Sequence, residues 1–384
     1  MPTQVSPQLY WTLAAGSFAL GACIGSFLNV VIHRLPLGIS VGNPKRSFCP
    51  GCKYQIPFWL NIPLVSWLLL RGKCANCRAP ISSRYFLVEL FTALAFLAVF
   101  YLTWMPGSGN PYLMLPYWVL VSLFIAGTCI DIDHYILPDE ITLGGTGVGL
   151  VFSLAVPMFL GQESRWDNFV QSLLGAAVGF GLLYLVVEIG KKLFGRKKLA
   201  FETALAWEIA QPNPEEQPQF SLDGDVTPWD DLFGRKSDRL ILHCPEAEID
   251  GVAHADVTLE IREDGVDVLP KTEGSAARHF ALEQITRMKG TCDSVVIPRE
   301  AMGLGDVKFM GLVGAFLGWK GVLFTVFAGS ILGTAAALLL IAARRREWAQ
   351  KVPFGPYLAA GATLYLVAGP AILSWYLGLS QSAE

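Results

Sequence analysis

The chain has 384 residues, of which 53% are hydrophobic and only 16% are charged. This composition is too apolar for an ordinary soluble protein, and it predicts several membrane spans. The formal net charge of −3 identifies no partner, because the charges are segregated along the chain, and we expect a lipid bilayer rather than nucleic acid around it.

Apolar runs of about 17–25 residues, long enough to cross a bilayer, occur seven times. They are residues 10–32, 85–104, 114–131, 141–160, 168–190, 321–343 and 356–378. The shorter run 306–318 is expected to be a tilted or partly buried span, which gives about eight in total. The first run lacks a basic n-region and a small-residue cleavage site, so we expect it to be retained as a span.

Lysine and arginine predict the orientation, because they concentrate in cytoplasmic loops. Segment 33–84 holds eight of them and no Asp or Glu, and further basic clusters follow the runs 168–190 and 321–343. The first nine and last six residues hold none. This pattern predicts both termini outside the cytoplasm, with Asp131 and Asp306 at cytoplasmic helix ends.

The first span contains Gly21 and Gly25, whose four-residue spacing is typical of closely packed helices. We interpret this stretch as a packing face. Glu89 lies in the apolar surroundings of the second span and is expected to form a structural ion pair with Arg84.

Two Cys-x-x-Cys motifs lie between the first two spans, and their spacing is typical of a structural four-thiolate zinc site. The four residues are Cys49, Cys52, Cys74 and Cys77. Disulfides or a redox pair are the alternatives, and the predicted cytoplasmic side disfavours disulfides. The apolar stretch 56–70 between the motifs is interrupted by prolines, so it either lies on the membrane surface or caps the bundle.

Asp131 ends the third run, and Asp133, Pro138 and Asp139 follow. Asp131 is nearest to the apolar run and therefore the most desolvated, although a solvated interfacial residue is the alternative. Asp139 after Pro138 also suits the start of a helix, where negative charge is favourable.

From about residue 196 to 300 the composition changes to acidic and polar. Residues 212–228 are predicted to be a linker, and 239–244, 256–262 and 266–269 alternate like strands. Residues 280–288 are predicted to be a helix. Together they predict a β-rich soluble domain of about 70 residues on the cytoplasmic side.

The sequence Gly303-Leu-Gly305-Asp306-Val-Lys308 opens the run 306–318. An aspartate at the mouth of a membrane helix predicts a functional site, and glycines before it permit close approach of another backbone. Residues 353–357 interrupt the apolar sequence before the last run, and they are predicted to lie at the same cytoplasmic surface. Two facing aspartates share a proton, so that one acts as base and the other as acid in activating water.

The Gly-x-Gly-Asp306 motif, together with Asp131 six residues before Leu-Pro-Asp, resembles the prepilin peptidase family. The first-span motif 25–36, the cysteine pairs, residues 81–89 and Pro353-Phe-Gly-Pro are similar to it as well. The resemblance implies an aspartyl endopeptidase of a bacterial inner membrane that removes the leader of type IV prepilins or type II secretion pseudopilins. It also implies N-methylation of the new terminus from S-adenosylmethionine.

The predicted fold class is an all-α polytopic membrane protein with a cytoplasmic zinc-knuckle loop and an inserted β-rich domain. The predicted domains are a first membrane helix (1–32), a four-cysteine domain (33–84), helices two to five (85–195), the insert with its linker (196–300) and helices six to eight (301–384). The alternatives are a peptidase without methyltransferase activity and a zinc-containing membrane scaffold whose aspartates are structural.

Overall fold

The computed structural model describes residues 6–43, 47–49, 51–104, 110–194, 196–211, 218–233, 238–262, 264–270, 278–282, 285, 287–298, 303–343 and 352–381. The chain divides into two compact units. One contains Met1–Tyr184 and Leu304–Glu384, and the other contains Leu185–Gly303.

The first unit is helical. In chain order the helices of the protein are α1 (Pro7–Arg34), α2 (Val65–Leu69), α3 (Ser83–Thr103), α4 (Met114–His134), α5 (Asp139–Ala155), α6 (Arg165–Phe194), α7 (Trp229–Leu232), α8 (Leu304–Ala342) and α9 (Gly355–Gln381). Of these, α7 is a single turn within the second unit.

Five segments among the described residues are long and apolar enough to cross a membrane. They are Pro7–Leu37, Ser83–Thr103, Pro111–His134, Arg165–Lys191 and Leu304–Ala342. This confirms a mostly helical membrane protein, while the expected number of eight spans stays a prediction. The 39-residue α8 is interrupted at Gly318, with φ of 69°, which is where the sequence separates the runs 306–318 and 321–343.

Small residues let the helices of the first unit approach closely. A Cβ on Gly21 would lie 2.8 Å from the Cα of Ala93, and one on Gly25 would lie 2.7 Å from the Cα of Glu89. The packing face predicted on α1 therefore meets α3. In the same way, Gly175 of α6 faces the backbone of Gly314 of α8.

The expected ion pair between Glu89 and Arg84 is wrong. Glu89 Oε2 accepts a hydrogen bond from the backbone N–H of Leu64 at 2.7 Å, and Arg84 pairs with Asp133 at 2.5 Å. The physical reason is that a buried carboxylate accepts a hydrogen bond from the backbone, and the loop before α3 brings that N–H to it.

The second unit contains an eight-stranded antiparallel sheet in the order β3-β2-β1-β8-β4-β5-β6-β7. The strands are β1 (Arg196–Ala210), β2 (Gln219–Leu222), β3 (Asp225–Pro228), β4 (Leu240–Ile249), β5 (Val252–Ile261), β6 (Gly265–Pro270), β7 (Arg278–Ala281) and β8 (Arg287–Pro298). Its core includes Trp207, Leu242 and Leu259, all at most 2% exposed.

Three sequence predictions for this unit need correction. The helix expected over 280–288 is wrong, because 278–281 and 287–298 form strands, which pair with β6 and with β1 and β4. The linker expected over 212–228 contains β2 and β3, while 212–217 lie outside the described residues. The domain is also larger than about 70 residues, because its sheet extends from Arg196 to Pro298.

Candidate active site and cysteine cluster

Asp131 lies in the last turn of α4 and is only 6% exposed. Its Oδ2 accepts a hydrogen bond from the backbone N–H of Gly355, 3.0 Å away at the first residue of α9. A helix N-terminus carries free N–H groups and partial positive charge, so it stabilises a carboxylate. This contact fixes Asp131 between α4 and α9.

The sequence after Asp131 explains why the helix ends there. Tyr135 adopts a left-handed conformation with φ of 56°, and its N–H donates to the carbonyl of Asp131 at 2.9 Å. Such a residue satisfies a carbonyl that the helix end would leave unpaired. Pro138, with an extended backbone, then caps α5, so the chain reverses immediately beyond the aspartate.

Asp306 lies in the first turn of α8 and is half-buried. The charge of Asp131 contributes to its electrostatic environment. Its neighbours Val307 and Phe309 are at most 1% exposed, so this turn is held against the core. The structure thus places Asp131 at the end of α4 and Asp306 at the start of α8, and their joint role stays a prediction.

Leu137 is a shared contact of the segments that carry the two aspartates, and the sequence analysis missed this role. A Cβ on Gly305 would lie 3.0 Å from the Cβ of Leu137, and one on Gly355 would lie 3.3 Å from its Cδ1. A Cβ on Gly355 would also lie 2.7 Å from Asp131 Oδ2. The sequence feature that could have identified Gly355 is its position within residues 353–357, which interrupt the apolar sequence before the last run.

Lys308 and Asp139, which belong to the two aspartate motifs, form an ion pair of 2.6 Å that joins α8 to the start of α5. The pair is partly exposed, at 29% and 57%, so it contributes at most about 1 kcal/mol to stability. Gly303 is exposed and directly precedes α8.

Arg84, at the start of α3, makes a contact near the site that the sequence did not predict. Its guanidinium pairs with Asp133 and donates a hydrogen bond to the carbonyl of Cys129 at 3.3 Å. Both partners lie within two residues of Asp131 on α4. The contact therefore ties the start of α3 to the end of the helix that carries the buried aspartate.

The four predicted cysteines lie together, and their Sγ atoms are all within 4.8 Å of one another. The Sγ atoms of Cys49 and Cys77 are 3.8 Å apart, and those of Cys52 and Cys74 are 3.9 Å apart. A tetrahedral zinc ion with Zn–S bonds of about 2.3 Å requires sulfur–sulfur distances of about 3.8 Å. The donor set thus fits a metal ion in size and in chemistry.

Each cysteine pair is presented by a small hairpin of the same build. Cys49 N–H donates to the carbonyl of Tyr54 at 2.9 Å, and Cys74 N–H donates to that of Ala79 at 2.9 Å. The residue after each second cysteine, Lys53 or Arg78, has a positive φ. These turns direct the four thiols toward one point.

The electrostatics of the cluster favour a bound cation. A hydrogen bond from the Tyr54 backbone and one from the Asn76 side chain lower the pKa of Cys52 to about 6. The backbone N–H of Ala79 lowers the pKa of Cys77, but the adjacent thiols of Cys52 and Cys74 outweigh it and raise that pKa to about 11. The thiolate form of Cys77 is therefore disfavoured by its neighbours and by desolvation, and a bound cation would favour it.

Two family models match the chain. Residues 19–103 match the Bacterial Peptidase A24 N-terminal domain, and residues 118–201 and 280–338 match the Type IV leader peptidase family. The second match is interrupted within the β-rich insert.

Several relatives align with this chain, some of them over nearly its whole length. The Prepilin leader peptidase/N-methyltransferase of Aeromonas hydrophila is 30% identical over 97% of this chain and 95% of its own length. The protein of the same name from Myxococcus xanthus is 44% identical over 47% of this chain and 50% of its own length. No solved structure matches the chain.

Proposed function

We propose, from the premise that this chain belongs to the type IV leader peptidase family, that Asp131 and Asp306 are its catalytic pair. The protein is a membrane peptidase that removes the leader of prepilins and N-methylates the new amino terminus, as the names of its full-length relatives state for them. Its substrates on this proposal are type IV prepilins or type II secretion pseudopilins.

The observation that supports the proposal is that Leu137 lies against Gly305, beside Asp306, and against Gly355, whose N–H donates to Asp131. Asp131 is 6% exposed and its charge interacts with that of Asp306. Two adjacent carboxyl groups in apolar surroundings share one proton. A purely structural role would not require two carboxyl groups in the same region, beside the segment 353–357 that precedes α9.

The pair hydrolyses a peptide bond by general acid and base catalysis. The ionised carboxylate takes a proton from a water molecule as the oxygen attacks the scissile carbonyl carbon. The protonated carboxyl group donates a hydrogen bond to the carbonyl oxygen, which becomes negatively charged. When the carbon–nitrogen bond breaks, a carboxyl proton passes to the leaving amine, and the pair returns to its starting state.

The supporting residues Gly303, Gly305, Lys308, Pro138 and Asp139 position this pair rather than touch substrate. Gly305 permits α8 to begin against Leu137, and the Lys308–Asp139 pair joins α8 to α5. The hydrogen bond from Gly355 holds Asp131 in a fixed orientation. These contacts position the helix ends that carry the two carboxyl groups.

The cysteine cluster is proposed to hold a structural zinc ion. Cys49, Cys52, Cys74 and Cys77 would supply all four ligands, which leaves no open coordination position for a substrate. The metal would therefore stabilise the loop before α3 and take no part in hydrolysis.

The methyl transfer requires S-adenosylmethionine, which the family implies and which supplies the methyl group when bound. We propose that this second activity depends on the cysteine-bearing half, residues 1–103.

We further propose eight membrane spans in a bacterial inner membrane, with periplasmic termini and both aspartates at the cytoplasmic surface. The basic segment 33–84, which holds no acidic residue, supports this orientation.

The test is incubation of purified full-length protein with a prepilin and S-adenosylmethionine in detergent, followed by mass spectrometry. We expect a product that has lost its leader and gained one methyl group. Loss of the leader without the methyl group would indicate a peptidase alone. An unchanged prepilin would contradict the proposal and favour the scaffold alternative.

A further inference from the structure

The loop between the two cysteine pairs exposes apolar side chains at the protein surface, and several of its polar groups form hydrogen bonds within the protein. We define the interknuckle segment as residues 56–70, which contains a 3-10 turn at Phe58–Leu60 and the short helix α2. Its exposed apolar side chains are Phe58 (82%), Trp59 (59%), Ile62 (48%), Val65 (46%), Leu68 (57%) and Leu69 (78%). An apolar surface of this density marks an interaction site.

Three polar groups of the segment are hydrogen-bonded within the protein, while the side chain of Asn61 is exposed. The Leu64 N–H donates to Glu89, Ser66 Oγ accepts from the N–H of Ile62 at 3.0 Å, and Trp67 Nε1 donates to the carbonyl of Ile81 at 3.3 Å. Internal satisfaction of polar groups is what a hydrocarbon environment requires. A loop facing water would show the opposite arrangement.

The hydrogen bond to Glu89 places the segment at the depth of the membrane boundary. The 21 residues of α3 give a length of about 31 Å at about 1.5 Å per residue, which matches a hydrocarbon core of about 30 Å. Glu89 is six residues beyond Ser83, and therefore about 9 Å along the axis from the start of α3. A bilayer whose hydrocarbon core matched the length of α3 would therefore place Leu64, bonded to Glu89, near its boundary.

The charges around the segment suit an anionic lipid surface. Lys53, Arg71, Lys73 and Arg78 flank it and are exposed. Segment 33–84 contains no acidic residue, so the whole cysteine-bearing loop is positively charged. Apolar side chains combined with a basic rim are the properties of peptides that bind at a bilayer interface.

We propose that the interknuckle segment is an interfacial membrane anchor, which inserts its apolar side chains into the headgroup–acyl boundary of an anionic bilayer. Interfacial segments bury their apolar face to about 5–10 Å, the depth that the Glu89 contact sets. The anchor holds both cysteine pairs at the membrane surface. It does not depend on the catalytic role of the aspartates.

The test is photo-crosslinking of the full-length protein in nanodiscs that contain an anionic lipid. A diazirine amino acid replaces Leu69 in one variant and Phe58 in another. Val226 is the control position, because it is also exposed, at 57%, but lies on a strand of the sheet unit. We expect lipid adducts at 58 and 69 to exceed those at 226 several-fold. Adducts at 58 and 69 that are no more frequent than at 226 would overturn the proposal.

Two other outcomes would also overturn it. If a second copy of the chain, or an added prepilin, is the main adduct at 58 and 69, then the segment is a protein-docking surface.

An independent measurement is quenching of tryptophan fluorescence by lipids with brominated acyl chains. The substitution Trp59→Phe should remove part of the quenching found in the unmodified protein, and unchanged quenching would contradict membrane insertion at this residue.

Discussion

At the residue scale, the orientation of Asp131 depends on a position that has no side chain. The N–H of Gly355 donates to Asp131 Oδ2, and any Cβ at residue 355 would lie 2.7 Å from the same oxygen. A contact that short forces either the carboxylate or the start of α9 to move. The glycine is therefore required by close approach rather than by backbone flexibility.

We predict that Gly355→Ala lowers the rate of prepilin cleavage strongly, because a small displacement of a catalytic group costs on the order of 100-fold. Cleavage followed by mass spectrometry would measure it. Gly147→Ala is the matched control, because a Cβ there meets nothing within 4 Å. Equal rates for both variants would show that the contact at 355 is not needed.

At the scale of elements, glycines decide which helices can pack together. Gly175 of α6 and Gly314 of α8 bring two backbones into direct contact, and Ser172 donates a hydrogen bond to the carbonyl of Ala315 at 2.6 Å beside them. The interruption at Gly318 follows within one turn. The position of α8, and with it of Asp306, therefore depends on α6.

We predict that Gly175→Ala destabilises the protein by about 1–3 kcal/mol, because the added methyl group overpacks a backbone contact. Its thermal unfolding midpoint in detergent should fall. Gly181→Ala lies on the same helix with nothing within 4 Å of its Cβ, and alanine favours a helix, so this variant should keep or raise the midpoint. The reverse ranking would contradict the packing described here.

The cysteine cluster makes a second prediction at this scale. The Cys74→Ser variant should lose zinc and have a lower unfolding midpoint, because three thiolates leave a tetrahedral zinc site one ligand short. Cys23→Ser should retain the metal, since Cys23 is an exposed cysteine of α1 outside the cluster. Elemental analysis of both purified variants measures this; no zinc in the unmodified protein would refute the metal assignment.

At the scale of the whole molecule, the β-rich unit is inserted between α6 and α8 through two adjacent ends. Arg196 of β1 and Pro298 of β8 are direct partners in the sheet, so the chain leaves and returns at one place. Directly opposed residues of an antiparallel pair are about 5 Å apart at Cα. A short connection could therefore replace the insert.

We predict that replacing residues 197–297 by a short glycine–serine linker leaves a protein that still inserts into membranes. Carbonate extraction and gel filtration in detergent would show it, with the full-length chain as the control. A deletion variant that aggregates, or that is extracted from the membrane, would show that the helices need the sheet to fold.

The sequence predicted the long helices well, because a continuous apolar run leaves few alternatives to a membrane span. It also predicted the cluster of the four cysteines, whose spacing is typical of a metal site, while the catalytic role of both aspartates stays a prediction. It failed for β8, because that strand is defined by its partners β1 and β4 rather than by its own pattern. The contacts of Gly355 and Arg84 were missed for the same reason, since each joins residues far apart in the chain.

The central claim is that Asp131 and Asp306 act together on the peptide bond. The most direct measurement is the cleavage of a prepilin by Asp131→Asn and by Asp306→Asn, with Asp133→Asn as the matched control on the same helix. We expect both of the first two variants to insert and fold normally yet to leave the leader attached, because an amide cannot exchange the shared proton, while the control still cleaves. A variant lacking either aspartate that cleaves at the rate of the unmodified protein would contradict the account.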